Sequence, residues 1–191
     1  MQSIGLFGGS FDPVHLGHLL VAQAAREELS LSKFFFIPAA QSPFKPERQL
    51  TPADVRLRLL RLALAGQTWC EIDDQEIRRG GVSYTIDTVR SYAQSYPEAQ
   101  ICYLIGADHV AFLPKWRQAD ELARLAHFVV IPRPGQGEPV LPSPFRGRTL
   151  AGFPLGVSSS QIRARAKAGL PVEPLVPAAV AEVIRNNGLY L

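Results

Sequence analysis

Apolar positions along this chain switch repeatedly between short continuous runs and steps of three and four, which is the rhythm of strands alternating with helices. Ile4, Leu6 and Phe7 mark a short buried strand over residues 2–8. Leu16, Leu19, Leu20 and Gln23-Ala24 then predict the inner face of a helix over 13–29. Asp12 and Pro13 suit its N-cap and first position, because N–H groups at a helix start have no intrahelical partners. Phe34-Phe35-Phe36-Ile37, closed by Pro38, fits a strand buried on both faces. A polar loop to residue 50 leads into a helix over 52–65, with Val55, Leu59, Leu62 and Ala63 inward and Arg58 and Arg61 outward. Further strands are expected over 69–72, 100–105, 127–131 and 149–153. Helices are expected from Ser83-Tyr84-Thr85 and over 118–125. Ser158-Ser159-Ser160 caps a helix stopped by Gly169, and Pro177 opens a last one with Val180, Val183 and Ile184 inward, stopped by Gly188. The proline- and glycine-rich stretch 133–147 reads as an exposed loop.

This order predicts an α/β fold: a doubly wound parallel sheet followed by a small C-terminal helical segment over about 156–191, the whole 1–191 forming a single domain. In such sheets ligands bind outside the carboxyl ends of the strands. Gly8-Gly9, Pro38-Ala39, Gly106-Ala107-Asp108 and Arg133 fall there. Composition adds exclusions. A net charge of +3, with 20 Lys+Arg against 17 Asp+Glu and no polybasic run, suits a phosphorylated small molecule and gives no sign of nucleic acid. No apolar run approaches the roughly 18 residues of a membrane span, and no charged leader precedes an apolar one, so a cytoplasmic protein is expected. Cys70 and Cys102 lack a CxxC partner and read as free thiols in a reducing compartment. No apolar stripe is left over to dictate assembly, which leaves a homo-oligomer open.

The chemistry gathers at GGSFDPVHLGH, residues 8–18. A strand that ends in glycines and turns into a helix brings backbone N–H groups up to a phosphate. Gly5, Gly8 and Gly9 do not fit GxGxxG, and GxxxxGK[ST] is absent. What distinguishes this turn is His15 and His18, three residues apart and therefore on one helical face. Gly17 between them costs a helix roughly 1 kcal/mol relative to alanine, which implies a close approach to the backbone. A nucleotide site that does chemistry on a phosphate is the reading. His109 and His127 have no acidic or thiol partners at metal spacing, so no zinc site is expected. Arg56 and Arg79 read as structural salt-bridge partners.

His15-Leu16-Gly17-His18 resembles the HxGH signature of the nucleotidyltransferase superfamily. The wider pattern is similar to the bacterial nicotinate-nucleotide adenylyltransferase family along almost the whole chain. It includes Pro43-Phe44-Lys45, Glu76-Ile77-Arg78-Arg79 with Ser83-Tyr84-Thr85-Ile86-Asp87-Thr88, Leu104-Ile105-Gly106-Ala107-Asp108 and Leu113-Pro114-Lys115-Trp116. Arg133-Pro134-Gly135, Val157 to Arg163 and the closing Gly188-Leu189-Tyr190 complete it.

The resemblance implies a Rossmann-like fold and a direct displacement, in which the 5′-phosphate of nicotinate mononucleotide attacks the α-phosphorus of ATP to give deamido-NAD and pyrophosphate. It assigns His15, His18, Lys45 and Arg163 to catalysis. Gly8, Gly9, Ser10, Phe11, Gly17, Gly106, Asp108, Ser158, Ser159 and Ser160 fall to ATP. Ser10, Tyr84, Thr85, Trp116 and Arg133 fall to the mononucleotide, with Trp116 stacking on the pyridine. Mg²⁺ is expected with the ATP, held mainly by the nucleotide rather than by a protein site. The chain departs from the family pattern at Phe44, where histidine is usual before the lysine. Ser160 stands where threonine is common, and His109 where a small polar residue is common. Three other readings remain: the same chemistry on nicotinamide mononucleotide, a relative acting on phosphopantetheine or another phosphate, and a nucleotide-binding module without catalysis.

Overall fold

The computed structural model describes residues 2–43, 49–135, 137, 139–153 and 155–191. Six strands form one sheet in the order β3-β2-β1-β4-β5-β6, every neighbouring pair parallel. They are β1 (Gln2–Gly9), β2 (Lys33–Pro38), β3 (Cys70–Ile72), β4 (Ala99–Gly106), β5 (His127–Ile131) and β6 (Gly147–Thr149). Side chains alternate between the two faces, as a strand requires. Phe7, Phe34, Phe36, Cys102, Leu104 and Val129 enter one buried cluster, which α1 (Leu16–Glu28), α2 (Ala53–Ala63), α6 (Ser159–Lys167) and α7 (Ala178–Asn186) help to build. Ile4, Leu6, Phe35, Ile37, Ile101, Tyr103, Phe128 and Val130 enter the other, under α4 (Thr85–Ser95), α5 (Ala119–Leu125) and a 3-10 helix over Ala107–Lys115. Helices therefore cover both faces, and the chain order reverses between β1 and β4. The crevice of an open α/β sheet lies at the carboxyl ends of the strands flanking that reversal.

Several boundaries differ from the sequence expectation, each because a distant partner decides them. Asp12 and Pro13 do not start α1. The first helical residue is Leu16, whose N–H bonds to Leu175 O at 3.0 Å, and His15 stands at the N-cap. Asp12 is instead buried, with Tyr190 Oη donating to its carboxylate at 3.1 Å. Behind the N-cap, the inner face of α1 is built on Ala22, Ala24 and Ala25, while Leu16, Leu19 and Leu20 stay half-buried. The last strand ends at Thr149 rather than 153: Leu150 N still donates to Val130 O of β5 at 2.9 Å, but the N–H groups beyond it turn away. Ala151 N and Gly152 N donate to the Glu28 carboxylate at 3.0 and 2.8 Å. A five-residue helix α3 (Gln75–Arg79) and the 3-10 helix are too short or irregular to show as periodicity. At the sheet edge Gly147 is obligatory: a Cβ there would lie 1.7 Å from Phe128 O.

Candidate active site

A cleft of about 380 Å³ opens at the carboxyl ends of β1 and β4. Its floor is the turn after β1. Gly8, Gly9, Ser10, Phe11, His15, Gly17 and His18 all line it. Phe11 takes a left-handed backbone (φ 45°) and is held there by edge-on packing against Phe7 at 5.6 Å and Phe36 at 5.7 Å. His18 rests on the same ring at 5.0 Å. Phe11 thus works from beneath, as the plug that carries the second histidine.

The two imidazoles stack with centroids 3.7 Å apart and planes 21° from parallel. His15 N–H donates to His18 Nδ1 at 3.2 Å. An acceptor Nδ1 leaves Nε2 to carry the proton of a neutral His18, so the tautomer is set by the backbone. Burial is the larger cause lowering both histidines, with the Arg133 charge acting in the same direction. His15 falls to about 4 and His18 well below the ordinary value, with His15 as a further cause. Both rings are neutral donors at neutral pH. His15 Nδ1 is buried and lacks a hydrogen-bond partner among the described residues. The close approach inferred for Gly17 is that of His15 itself: a Cβ would meet Val157 Cγ1 at 2.9 Å and His15 Nδ1 at 3.0 Å.

The far wall is the start of α6. Ser158 caps it in a reciprocal box with Gln161, accepting from Gln161 N at 3.3 Å while its own N–H donates to Gln161 Oε1 at 2.8 Å. Ser159 Oγ donates to Pro13 O at 2.9 Å. Arg163 lies behind the serines and outside the cleft lining. It donates to Asp12 O at 2.7 Å and to Ser160 Oγ at 3.0 Å, which ties this helix to the histidine turn. Ser158, Ser159 and Ser160 all line the cleft, so the N-terminal end of a nine-residue helix borders it.

On the opposite side stand Thr85, Tyr103, Gly106, His109, Trp116 and Arg133. Trp116 is half-buried, edge-on to Phe128 and to His109, both at 6.3 Å. It packs on the core with one part and lines the cleft with another. Tyr84 is the N-cap of α4, lies outside the cleft lining, and has the Arg117 guanidinium 4.6 Å over its ring. Asp108 is exposed and pairs with Arg133, which donates to Asp108 Oδ1 at 3.2 Å and Oδ2 at 3.1 Å. That hydrogen bond is the main reason the Asp108 carboxyl is lowered. An exposed pair of this kind is weak and exchanges easily for a ligand. Lys45 and Phe44 lie outside the described residues.

Four residues that the sequence did not assign to the site matter here. Arg56 is buried, and its guanidinium donates to Ser10 O and Ala39 O, each at 2.8 Å, and to Thr51 O at 2.9 Å. It bridges the loops after β1 and β2 by their carbonyls, with Asp12 as its nearby counter-charge. Glu76 is buried in the cleft wall and raised by that burial. Thr88 Oγ1 donates to it at 2.6 Å and Ser83 through its hydroxyl. Ser83 Oγ in turn accepts from Ala40 N at 2.9 Å. Tyr103 places its hydroxyl beside Gly8 and 3.4 Å from Thr85 Oγ1. Tyr190 closes on Asp12 from the chain's end. Only the Glu76 and Tyr190 motifs carried any sequence signal, through the resemblance.

A parallel sheet with this reversal and a histidine–glycine turn at its switch point defines a nucleotidyl-transfer class, and the cytidylyltransferase-like family model matches residues 6–165. Among curated relatives, the Herpetosiphon aurantiacus protein named "Probable nicotinate-nucleotide adenylyltransferase" is 40% identical, covering 100% of both chains. The Geobacillus kaustophilus protein of the same name is also 40% identical, over 100% of this chain and 87% of its own. The chain belongs to the nicotinate-nucleotide adenylyltransferase family. The fold matches the solved Plasmodium falciparum nicotinic acid mononucleotide adenylyltransferase complexed with NaAD, with a TM-score of 0.82 at 15% identity, covering 100% of this chain and 98% of that one.

Proposed function

We propose that the protein transfers the adenylyl group of ATP to nicotinate mononucleotide, forming deamido-NAD and pyrophosphate for NAD biosynthesis. The observation that carries this reading is the stacked pair of neutral histidines at the switch point, with His18 Nδ1 occupied by the His15 backbone. A phosphate oxygen of the mononucleotide forms a bond to the α-phosphorus as the bond to the bridging oxygen of pyrophosphate breaks. Such a displacement needs two anions held in line and the growing charge met by donors already in place. His18 Nε2–H donates to the α-phosphate, and His15 supports that ring and borders the same oxygens. The start of α6, with Ser158 to Ser160, receives the β- and γ-phosphates, and Arg163 holds that helix to the turn. Lys45 adds a charge to the phosphates on the strength of the family pattern.

Gly8, Gly9 and Gly106 let the nucleotide approach the backbone, Gly17 borders the ATP side while making room for the His15 ring, and Ser10 and Phe11 complete the floor. Asp108 accepts from a ribose hydroxyl. Trp116 stacks on the pyridine, while Ser10, Tyr84, Thr85 and Arg133 complete the mononucleotide side. Among the described residues no group of three His, Cys, Asp or Glu side chains could hold a metal ion. Mg²⁺ enters as part of the nucleotide substrate. No helix of the described residues is long and apolar enough to cross a membrane. The protein is read as one nucleotidyltransferase domain of a cytoplasmic enzyme, with ATP and nicotinate mononucleotide as partners and neither nucleic acid nor membrane expected from its composition.

The test uses purified protein with ATP, Mg²⁺ and either nicotinate or nicotinamide mononucleotide, measuring pyrophosphate and dinucleotide. Dinucleotide from the acid, at a clear preference over the amide, is expected. None from either overturns the reading, and a preference for the amide moves the activity to that substrate.

A further inference from the structure

The end of the chain reaches the floor of the cleft. After α7 the backbone turns through Gly188 (φ 56°) and Tyr190 (φ 70°), with Leu189 N–H closing on Ile184 O at 2.9 Å. This turn delivers Tyr190 Oη to Asp12 Oδ1 at 3.1 Å, a contact across 178 residues of sequence. The same hydroxyl bonds to the Thr51 side chain. Thr51 O accepts from Arg56 Nε, and Arg56 holds Ser10 O and Ala39 O. Asp12 O accepts from Arg163. Asp12 is 1% exposed and Arg56 2%, so this circuit is shielded from water and a partner lost from it is not readily replaced.

We propose that Tyr190 is a positioning residue for the reaction, its hydroxyl holding Asp12 and Thr51 so that the turn from Ser10 to His15 keeps the histidines aligned with the phosphates. It touches no substrate. It acts through a carboxylate three residues before His15 and through the arginine that fixes the Ser10 carbonyl. The inference rests on the adenylyl-transfer reading above. Misplacing a catalytic group by a fraction of its reach lowers the rate of an in-line displacement more than it weakens binding of either substrate.

The experiment is Tyr190→Phe in the full-length chain, which removes one oxygen and keeps the ring. The expected result is a kcat lowered about tenfold, with KM for ATP and for nicotinate mononucleotide within about twofold and a melting temperature only a few degrees lower. Asp12→Ala, which removes the acceptor, and the double variant complete a cycle. The double variant should be no slower than Asp12→Ala alone, because either change breaks the Tyr190–Asp12 hydrogen bond. An unchanged kcat for Tyr190→Phe overturns the proposal, as does a loss that adds in full to that of Asp12→Ala. A parallel fall of kcat, affinity and melting temperature overturns it in favour of a purely structural role. If Tyr190→Phe does not fold, Thr51→Val removes the other side-chain partner of the same hydroxyl, and an unchanged kcat there is equally decisive against it. Failure of the parent enzyme to make dinucleotide is a separate result, overturning the functional reading itself.

Discussion

Adding one methyl group at the end of β1 tests why the turn carries glycine where it does. An alanine Cβ at Gly8 would sit 2.4 Å from Tyr103 Oη, with the next atom, Tyr103 Cζ, at 3.4 Å. Ordinary carbon contacts lie at about 3.5–4.0 Å, so the hydroxyl must retreat by roughly 1 Å. Tyr103 is 6% exposed and packs against Phe128 with centroids 6.1 Å apart, so the ring cannot simply swing away. Overpacking of this sort costs about 1–3 kcal/mol, against about 0.4–1 kcal/mol gained from a stiffer unfolded chain. The expected net loss for Gly8→Ala is about 1–2 kcal/mol. In a Tyr103→Phe background the clashing atom is gone and the nearest neighbour becomes an ordinary contact, so Gly8→Ala should be neutral there. Urea unfolding of the four proteins reads this coupling directly, provided the slopes agree. An equal loss in both backgrounds refutes the steric reasoning. Catalysis adds a second reading: if the nucleotide needs the bare backbone at Gly8, the double variant regains stability but stays about tenfold or more below the Tyr103→Phe parent in kcat/KM.

Two further outcomes follow from the histidine pair. His18→Ala should lower kcat by about 10²-fold, the scale of losing a donor aimed at developing charge, with the fold intact by circular dichroism; unchanged turnover would make the ring only a helix-start bond. Stability should fall with acidity through the same pair. His15 titrates near 6.5 when unfolded and at about 4 when folded, so between those values the unfolded chain binds more protons and stability drops as pH falls from 6.5 toward 4. Above 6.5 the residue contributes no slope. The 2.5-unit gap corresponds to at most about 3 kcal/mol, and His18 acts in the same direction. His15→Asn, which keeps a good N-cap, should flatten that acid limb in urea unfolding; parallel curves for the two proteins would contradict it.

The periodic part of the molecule was legible because burial on one or two faces leaves a local signature. The phenylalanine run of β2, the inward Val180, Val183 and Ile184 of α7, and the Ser158 cap of α6 are each as expected. The start of α1 was not, although Asp12-Pro13 has good local helix-start chemistry. Leu175 O, from the far end of the chain, satisfies the Leu16 N–H, and Tyr190 takes the Asp12 carboxylate. Local propensity is worth about 1 kcal/mol at a cap, and a buried hydrogen-bonded carboxylate outweighs it. Arg56 shows the same limit from the other side. Its position beside an apolar helix face suggested an ion pair, but its hydrogen bonds run to three carbonyls on the loops after β1 and β2.

Sequence alone determined the α/β class, the turn after the first strand as the centre of the chemistry, and the two histidines three residues apart beside that turn. Those follow from residue periods and from the few residue types that phosphate chemistry uses. Only the tertiary structure decided that His15 caps the helix its partner sits in, so that the backbone sets the His18 tautomer. It alone paired Asp108 with Arg133, set Glu76 and Tyr103 into the cleft wall, and brought Tyr190 back to Asp12. The reason is physical: the strength of a polar contact depends on where a distant carbonyl or carboxylate comes to rest and on the water excluded around it, and neither quantity is a property of neighbouring residues in the chain.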